Sequence, residues 1–184
     1  NMAMNGSEGI GAMGIDAPLA VLSEQHQSLF GYFKQLFAQV TNPPIDAIRE
    51  KIVTSTTVYV GEEGNLLEQK EENCHVLKIN DPILTDTDLL KIRNMKVDGF
   101  RVAEISTTYY KNSSLEKAID YLFIQVDRAI REGMNILILS DRGVDEYHIA
   151  IPSLLATSTV HQHLVRTKRR TEVAMILETG EPRE

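Results

Sequence analysis

The stretch Asn135-Ile-Leu-Ile-Leu139 is a continuous apolar run, and the loop sequence Ser140-Asp-Arg-Gly143 follows it directly. An apolar run without alternating polar residues is typical of a strand that is buried on both faces of a parallel sheet. The run therefore predicts a strand of this kind, with a loop at its carboxyl end.

A strand and a helix are predicted before this run. Residues 101–107 indicate a strand, Ser113 and Glu116 form the capping box of a helix, and Gly133 lies where that helix should stop. Apolar residues at helical spacing mark the buried face of the helix: Leu115, Ala118, Ile119, Leu122, Phe123, Val126 and Ile130.

A second helix and another strand are predicted after the run. Pro152 suits the first turn of a helix, and residues 173–177 predict a further buried strand. The second half of the chain is then β-α-β-α-β, and parallel strands joined by helices cross over right-handed. We expect an α/β fold with helices on the sheet, as an incomplete barrel-like or open three-layer domain.

The first half of the chain has weaker patterns. Residues 1–16 predict an irregular loop, because they are rich in Gly, Ala, Met and Asn and have no sustained period. Residues 23–39 have apolar side chains at helical spacing, with Ser23 as the N-cap. Residues 46–55 and 85–94 predict two short helices.

The composition limits the compartment and the partners. The chain has 184 residues, of which 42% are hydrophobic and 24% are charged, and this composition is typical of a globular domain. Its net charge of −7 disfavours a nucleic-acid partner. No apolar run approaches the roughly 20 residues that a membrane-spanning helix needs, which disfavours a membrane partner. The single cysteine, Cys74, suits a reducing compartment, so we expect a cytoplasmic protein.

Two motifs that resemble cofactor or metal sites are disfavoured by their context. Gly9-Ile-Gly-Ala-Met-Gly14 matches the dinucleotide-binding pattern, but no strand precedes it and Pro18 interrupts the segment that follows. His161 and His163 are two residues apart on a predicted helix and therefore point to different sides. We predict a flexible or closely packed loop and a core or interface role for His161, with neither a cofactor site nor a metal site.

Asp141 and Arg142 are the best catalytic candidates by position. They follow the apolar run directly, and α/β proteins bind ligands beyond the carboxyl ends of parallel strands. No nucleophile or second carboxylate accompanies them. The favoured interpretation is an ion pair between the two side chains that fixes the loop.

Six sequence blocks resemble one known family, the glutamate synthase central domain. They occur in the family's order over nearly the whole chain, at residues 12–23, 32–46, 64–68, 138–143, 151–156 and 178–184. Ala47, Gln162 and Thr179 depart from the usual proline, histidine and serine of the family. The resemblance implies that residues 1–184 are the central domain of a longer polypeptide.

The resemblance also implies what the longer polypeptide does. It would contain an N-terminal glutaminase domain, this domain, an FMN-binding barrel and a C-terminal β-helix, and would convert glutamine and 2-oxoglutarate to two glutamates. FMN and a 3Fe-4S cluster would belong to the barrel domain, and this segment alone would be inactive and without a cofactor. The electron donor, ferredoxin or a pyridine nucleotide, stays open.

In the family this domain helps to wall a tunnel that carries ammonia from the glutaminase to the FMN site. The matching positions are Met13, Thr41 and Asn42. The alternative is that these residues only pack together. A rival function is a self-contained α/β enzyme or a small-ligand binding module that uses the loop at Asp141 and Arg142.

The predicted strand at residues 173–177 lies seven residues before the end of the sequence. A buried strand without further elements to cover it would leave an apolar edge that recruits other strands. We therefore expect the segment to self-associate as a homodimer, besides its contacts with the glutaminase and FMN-binding domains.

Overall fold

The computed structural model describes residues 2–6, 19–33 and 45–182. The chain divides into two units, Asn1–Ile45 and Asp46–Glu184. The described part of the first unit contains a short helix, α1 (Met2–Asn5), and two 3₁₀ turns, Ala20–Leu22 and Leu29–Phe33.

The predicted helix start at Ser23 is wrong. Ser23 has an extended backbone and closes the first 3₁₀ turn. Its hydroxyl accepts hydrogen bonds from the Gln25 amide and from the Gln27 side chain, so the local side-chain bonds compete with a helix here. Residues 34–40, the rest of this prediction, lie outside the described residues.

The second unit alternates strands and helices. Its elements in chain order are α2 (Ala47–Val53), β1 (Val58–Val60), β2 (Leu77–Ile79), α3 (Asp86–Arg93), β3 (Val102–Ser106), β4 (Thr108–Tyr110), α4 (Leu115–Arg131), β5 (Ile136–Ser140), β6 (His148–Ala150), α5 (Ser153–Arg166) and β7 (Ala174–Glu178).

The two predicted short helices are confirmed as α2 and α3. A side-chain cap stabilises the start of each helix. The Asp46 carboxylate accepts from the amides of Ile48 and Arg49 at the start of α2. At α3, Thr85 and Asp88 form a reciprocal capping box. Strands β1 and β2 pair antiparallel between the two helices.

Three parallel strands form the central sheet, in the order β3-β5-β7. Strand β5 lies in the middle, with Ile136 opposite both Val102 and Ala174. Residues 136–139 are 0% exposed, so the strand predicted from the apolar run is buried on both faces. The other two parallel strands occupy the positions that the sequence predicts for them.

Helices pack on both faces of this sheet. Leu122 and Val126 of α4 share one core cluster with Val160 and Leu164 of α5 and with Leu137 of β5. On the opposite face lies Arg93, at the end of α3. It pairs with Glu104 and Glu178, which alternate along their strands with the core-facing Ile105 and Leu177. The predicted α/β class is confirmed, as an open domain rather than a closed barrel.

The boundaries of α4 differ from the prediction at one end. The N-cap is Ser114, whose hydroxyl accepts from the Lys117 amide, so the predicted capping box from Ser113 is wrong by one residue. At the other end Gly133 has a φ of +82° and donates to the Ile130 carbonyl. Because Met134 also donates to Ala129, the stop is a Schellman motif.

A second antiparallel ribbon, β4 with β6, extends from the carboxyl end of the sheet. Thr107 connects the two structures, since its amide and hydroxyl both donate to the Ser140 carbonyl and its own carbonyl accepts from Ile151. This ribbon was not predicted from the sequence. In the part of the chain described here, no helix is both long and apolar enough to cross a membrane.

Candidate functional site

The polar site predicted at the carboxyl end of the sheet is formed by the ends of β5 and β7. Ser140 ends β5, and Asp141 and Arg142 follow it in the loop. Glu178 ends β7 and is directly opposite Ser140 in the parallel register. The register therefore places a carboxylate from one strand beside the loop of the next.

Glu178 is the centre of this site. Its carboxylate accepts hydrogen bonds from Ser140 Oγ at 2.6 Å, from Arg93 Nη2 at 2.8 Å and from Arg142 Nε at 2.5 Å. The side chain is only 9% exposed. One carboxylate thus joins α3, β5 and β7.

The pKa of Glu178 is lowered from its ordinary value, through opposing effects. Burial raises the pKa. The hydrogen bonds from Ser140 and Arg142 and the positive charges of Arg93 and Arg142 lower it, and their combined effect is larger than that of burial. The group is therefore ionised at neutral pH and acts as a hydrogen-bond acceptor, and it has no proton to donate to a substrate.

Asp141 and Arg142 have separate partners. The Asp141 carboxylate accepts from the Thr179 hydroxyl, and its amide donates to the Glu178 carbonyl at 3.2 Å. Arg142, whose side chain is 64% exposed, pairs with Glu178 and lies 3.7 Å from an oxygen of Asp86. Among the described residues, the ion pairs do not include one between Asp141 and Arg142.

A third carboxylate, that of Glu181, caps the N-terminus of α5. Its Oε2 atom accepts from the Ser153 amide at 2.6 Å. The N-cap of α5 is Pro152, which supplies no side-chain acceptor, so Glu181 satisfies a free amide of the first turn. The Glu181 amide in turn donates to Thr179 Oγ1.

The sequence patterns did not predict three residues of this site, Glu178, Glu181 and Arg93. A carboxylate directly after an apolar strand could have identified Glu178, since the carboxyl ends of parallel strands meet at one edge of the sheet. No local pattern indicates Arg93, because it lies 85 residues away from Glu178 along the chain.

The remaining candidates have ordinary structural surroundings. His161 accepts from Arg170 Nε at 3.0 Å, whereas His163 lies 3.0 Å from Asp127 and stacks on Phe123. The two imidazoles therefore have different neighbours, as their spacing predicts.

The other candidate residues divide between the described and the undescribed parts of the chain. Cys74 is exposed. Residues 2–6, 19–33 and 45–182 contain no group of three or more His, Cys, Asp or Glu side chains that could hold a metal ion. Met13, Thr41 and Asn42 lie outside the described residues, so their tunnel role stays a prediction.

Comparison with known proteins gives one consistent family. Residues 1–184 match the glutamate synthase central domain. The chain is 46% identical over 179 residues to the glutamate synthase [NADPH] large chain of Bacillus subtilis, covering 97% of this chain and 12% of that protein.

Two further relatives carry the names of other electron donors. Glutamate synthase [NADH] of Saccharomyces cerevisiae is 46% identical over 188 residues, covering all of this chain and 9% of that protein. Ferredoxin-dependent glutamate synthase 2 of Synechocystis is 41% identical over 186 residues, covering 98% and 12%. The chain spans about a tenth of the length of these curated relatives.

Proposed function

We propose a function for this chain from the premise that it belongs to the glutamate synthase central domain family. It is the non-catalytic domain that connects the glutaminase domain to the FMN-binding domain of a longer glutamate synthase. The match over all 184 residues, within relatives about ten times as long, is the observation that carries this proposal.

The site at the end of the sheet supports a connecting role over an independent active site. Glu178 is ionised and takes three donors from its own chain, and Asp141 takes the Thr179 hydroxyl. A catalytic acid or base needs a group that is free to contact a substrate. These groups instead hold α3, β5 and β7 together, which disfavours the rival enzyme or ligand-binding module at Asp141 and Arg142.

The parent polypeptide would convert glutamine and 2-oxoglutarate to two glutamates. Ammonia released by the glutaminase domain must reach the second site unprotonated, because ammonium is not a nucleophile. A passage shielded from water therefore serves the chemistry directly. Met13, Thr41 and Asn42 are the positions of this chain that we assign to the wall of the passage.

The cofactors of the parent enzyme, FMN and a 3Fe-4S cluster, belong to its other domains. An iron–sulfur cluster takes several cysteine thiolates, and this chain has one cysteine, so its residues do not fit the cluster. The relatives are named for NADPH, NADH and ferredoxin, and the donor therefore stays open. We place the enzyme in the cytoplasm on the basis of the lone cysteine.

Substitutions in the proposed tunnel wall test this function in the intact polypeptide. Thr41→Val removes a hydroxyl, and Met13→Trp narrows the passage, while neither changes the chemistry at its ends. We expect glutamine hydrolysis to persist while glutamate formation from 2-oxoglutarate falls. The measurement is the ratio of glutamine consumed to 2-oxoglutarate aminated.

Thr56→Val is the matched control, since Thr56 is exposed and has one long hydrogen bond, 3.5 Å, to Asn80. This variant should keep a one-to-one ratio. The tunnel assignment is wrong if both test variants keep that ratio too. If the native gene product is not several-fold larger than this chain, the connecting role itself is wrong.

A further inference from the structure

The segment between β1 and β2 forms an ordered loop, residues 61–73, which we call the acidic loop. Its first half is attached to the body of the unit, because the amides of Glu63 and Gly64 both donate to the Thr171 carbonyl, at 2.9 and 3.1 Å. This attachment fixes the loop against the turn that precedes β7.

Hydrogen bonds within the loop fix its tip. The Asn73 side-chain amide donates to the carbonyls of Asn65 and Glu68, at 3.1 and 2.8 Å. The Asn65 side chain accepts from the Leu67 amide and donates to Glu68. Gly64 has a φ of +62°, and a Cβ atom there would lie 2.5 Å from Asn73 Oδ1, so the turn requires glycine.

This ordered tip presents two leucines to solvent. Leu66 is 71% exposed and Leu67 is 94% exposed. Together with Lys168 and Thr171 they line a groove of about 470 Å³. Neighbouring apolar side chains that are exposed together and rimmed by polar groups are typical of interaction sites.

The charge around the leucines restricts the partner. The acidic loop contains five glutamates and one lysine, Lys70, which pairs with Glu68. The groove adds Lys168 and Glu172, whose charges are opposite, so the surface stays net negative. Two copies of this loop would repel each other, and an anionic lipid surface would repel it as well. The complementary surface is an apolar pocket with lysine or arginine residues at its rim.

We propose that Leu66 and Leu67 dock into such a pocket on another domain of the same polypeptide. This inference rests on the proposed function, which places about nine tenths of the polypeptide outside this chain. The internal hydrogen bonds of the loop fix its backbone before binding. Docking of the two leucines therefore costs little additional conformational entropy.

Thiol labelling of Leu67→Cys, in a Cys74→Ser background and followed by mass spectrometry on the peptide that contains residue 67, tests the contact. The reaction rate with a maleimide is compared between the 184-residue chain and the intact polypeptide, each relative to its urea-unfolded form. We expect labelling about ten times slower in the intact polypeptide, which corresponds to about 1.4 kcal/mol of docking free energy. Equal rates overturn the docking proposal, and slowing that appears in the short chain with rising concentration shows contact with a second copy instead.

A second pair of variants tests the leucines without a thiol. Leu67→Asp should lower the thermal midpoint of the intact polypeptide but leave the short chain unchanged, and Gln69→Asp, in the same exposed loop, should change neither. An unchanged midpoint of the intact Leu67→Asp variant contradicts docking. Failure of docking is distinguishable from failure of the proposed function, because the mass and the coupled turnover of the intact polypeptide report on the latter alone.

Discussion

At the scale of single residues, Glu178 has the largest influence on the candidate site. It is the acceptor for Ser140, Arg93 and Arg142, which come from a strand, a helix and a loop. Removing its charge leaves Arg93 without one of its two carboxylate partners in a half-buried position. Loss of one member of such a group is costly because the other members stay desolvated.

Glu178→Gln should therefore destabilise the chain by about 1–3 kcal/mol, since hydrogen bonds to charged groups contribute amounts of this order. Urea denaturation gives the free energy of unfolding. Glu132→Gln is the matched control, because Glu132 is half exposed and has Arg128 as its partner on one helix. The control should change stability by less than about 0.5 kcal/mol. Equal effects in the two variants would contradict the central role of Glu178.

The same residue predicts a dependence of stability on pH. Because the folded pKa of Glu178 is lowered from 4.5, its contribution is complete above that value and is lost as the pH falls through the folded pKa. We expect the urea midpoint of the wild-type chain to fall in acid more steeply than that of Glu178→Gln. Parallel curves from neutral pH to about pH 3 would show that this carboxylate does not contribute.

At the scale of elements, α4 shows how tertiary packing selects between two serines. Ser113 and Ser114 can each cap a helix by residue type. The buried face of α4 fixes the rotation of the helix, and the Ser113 amide is used in a turn to the Tyr110 carbonyl. The helix therefore begins after Ser114.

Ser114→Ala should destabilise the chain by about 1 kcal/mol, the usual contribution of an N-cap. Ser113→Ala is its neighbour and matched control, and it should change stability by less than about 0.5 kcal/mol. Thermal or urea unfolding of both variants makes the comparison. The opposite order of effects would support the capping box that starts at Ser113.

At the scale of the whole molecule, β7 is an edge strand of the parallel sheet. Within the described residues it pairs with β5 on one side, and its five residues are all partly exposed. A partly exposed edge strand offers unpaired backbone groups and apolar side chains to another surface. This edge is the surface through which we expect the self-association that the sequence predicts.

We predict that the 184-residue chain forms a dimer at micromolar concentration, if the shared surface reaches about 1,000 Å². Size-exclusion chromatography with light scattering measures the mass over a concentration series. The longer polypeptide that we propose should associate less through this edge, because its other domains would cover it. A chain that stays monomeric throughout the series would show that the edge is not a contact surface.

The sequence by itself determined the parallel core and the family. The apolar run of β5 and the helical stripe of α4 are local periodic patterns, and each predicts which side chains are buried without knowledge of any neighbour. The N-cap residues of α2 and α3, Asp46 and Thr85, are equally local signals. The family resemblance depends on the order of sequence blocks, and the match over residues 1–184 confirms it.

Only the tertiary structure decided the partners of the polar groups. Arg93 reaches Glu178 across 85 residues of chain, and Arg142 reaches it across 36, so no local pattern contains either contact. The β4–β6 ribbon likewise depends on pairing between segments on either side of α4. Hydrogen bonds and ion pairs form only between groups that lie a few ångströms apart. These residues come that close only when the strands have paired in their register.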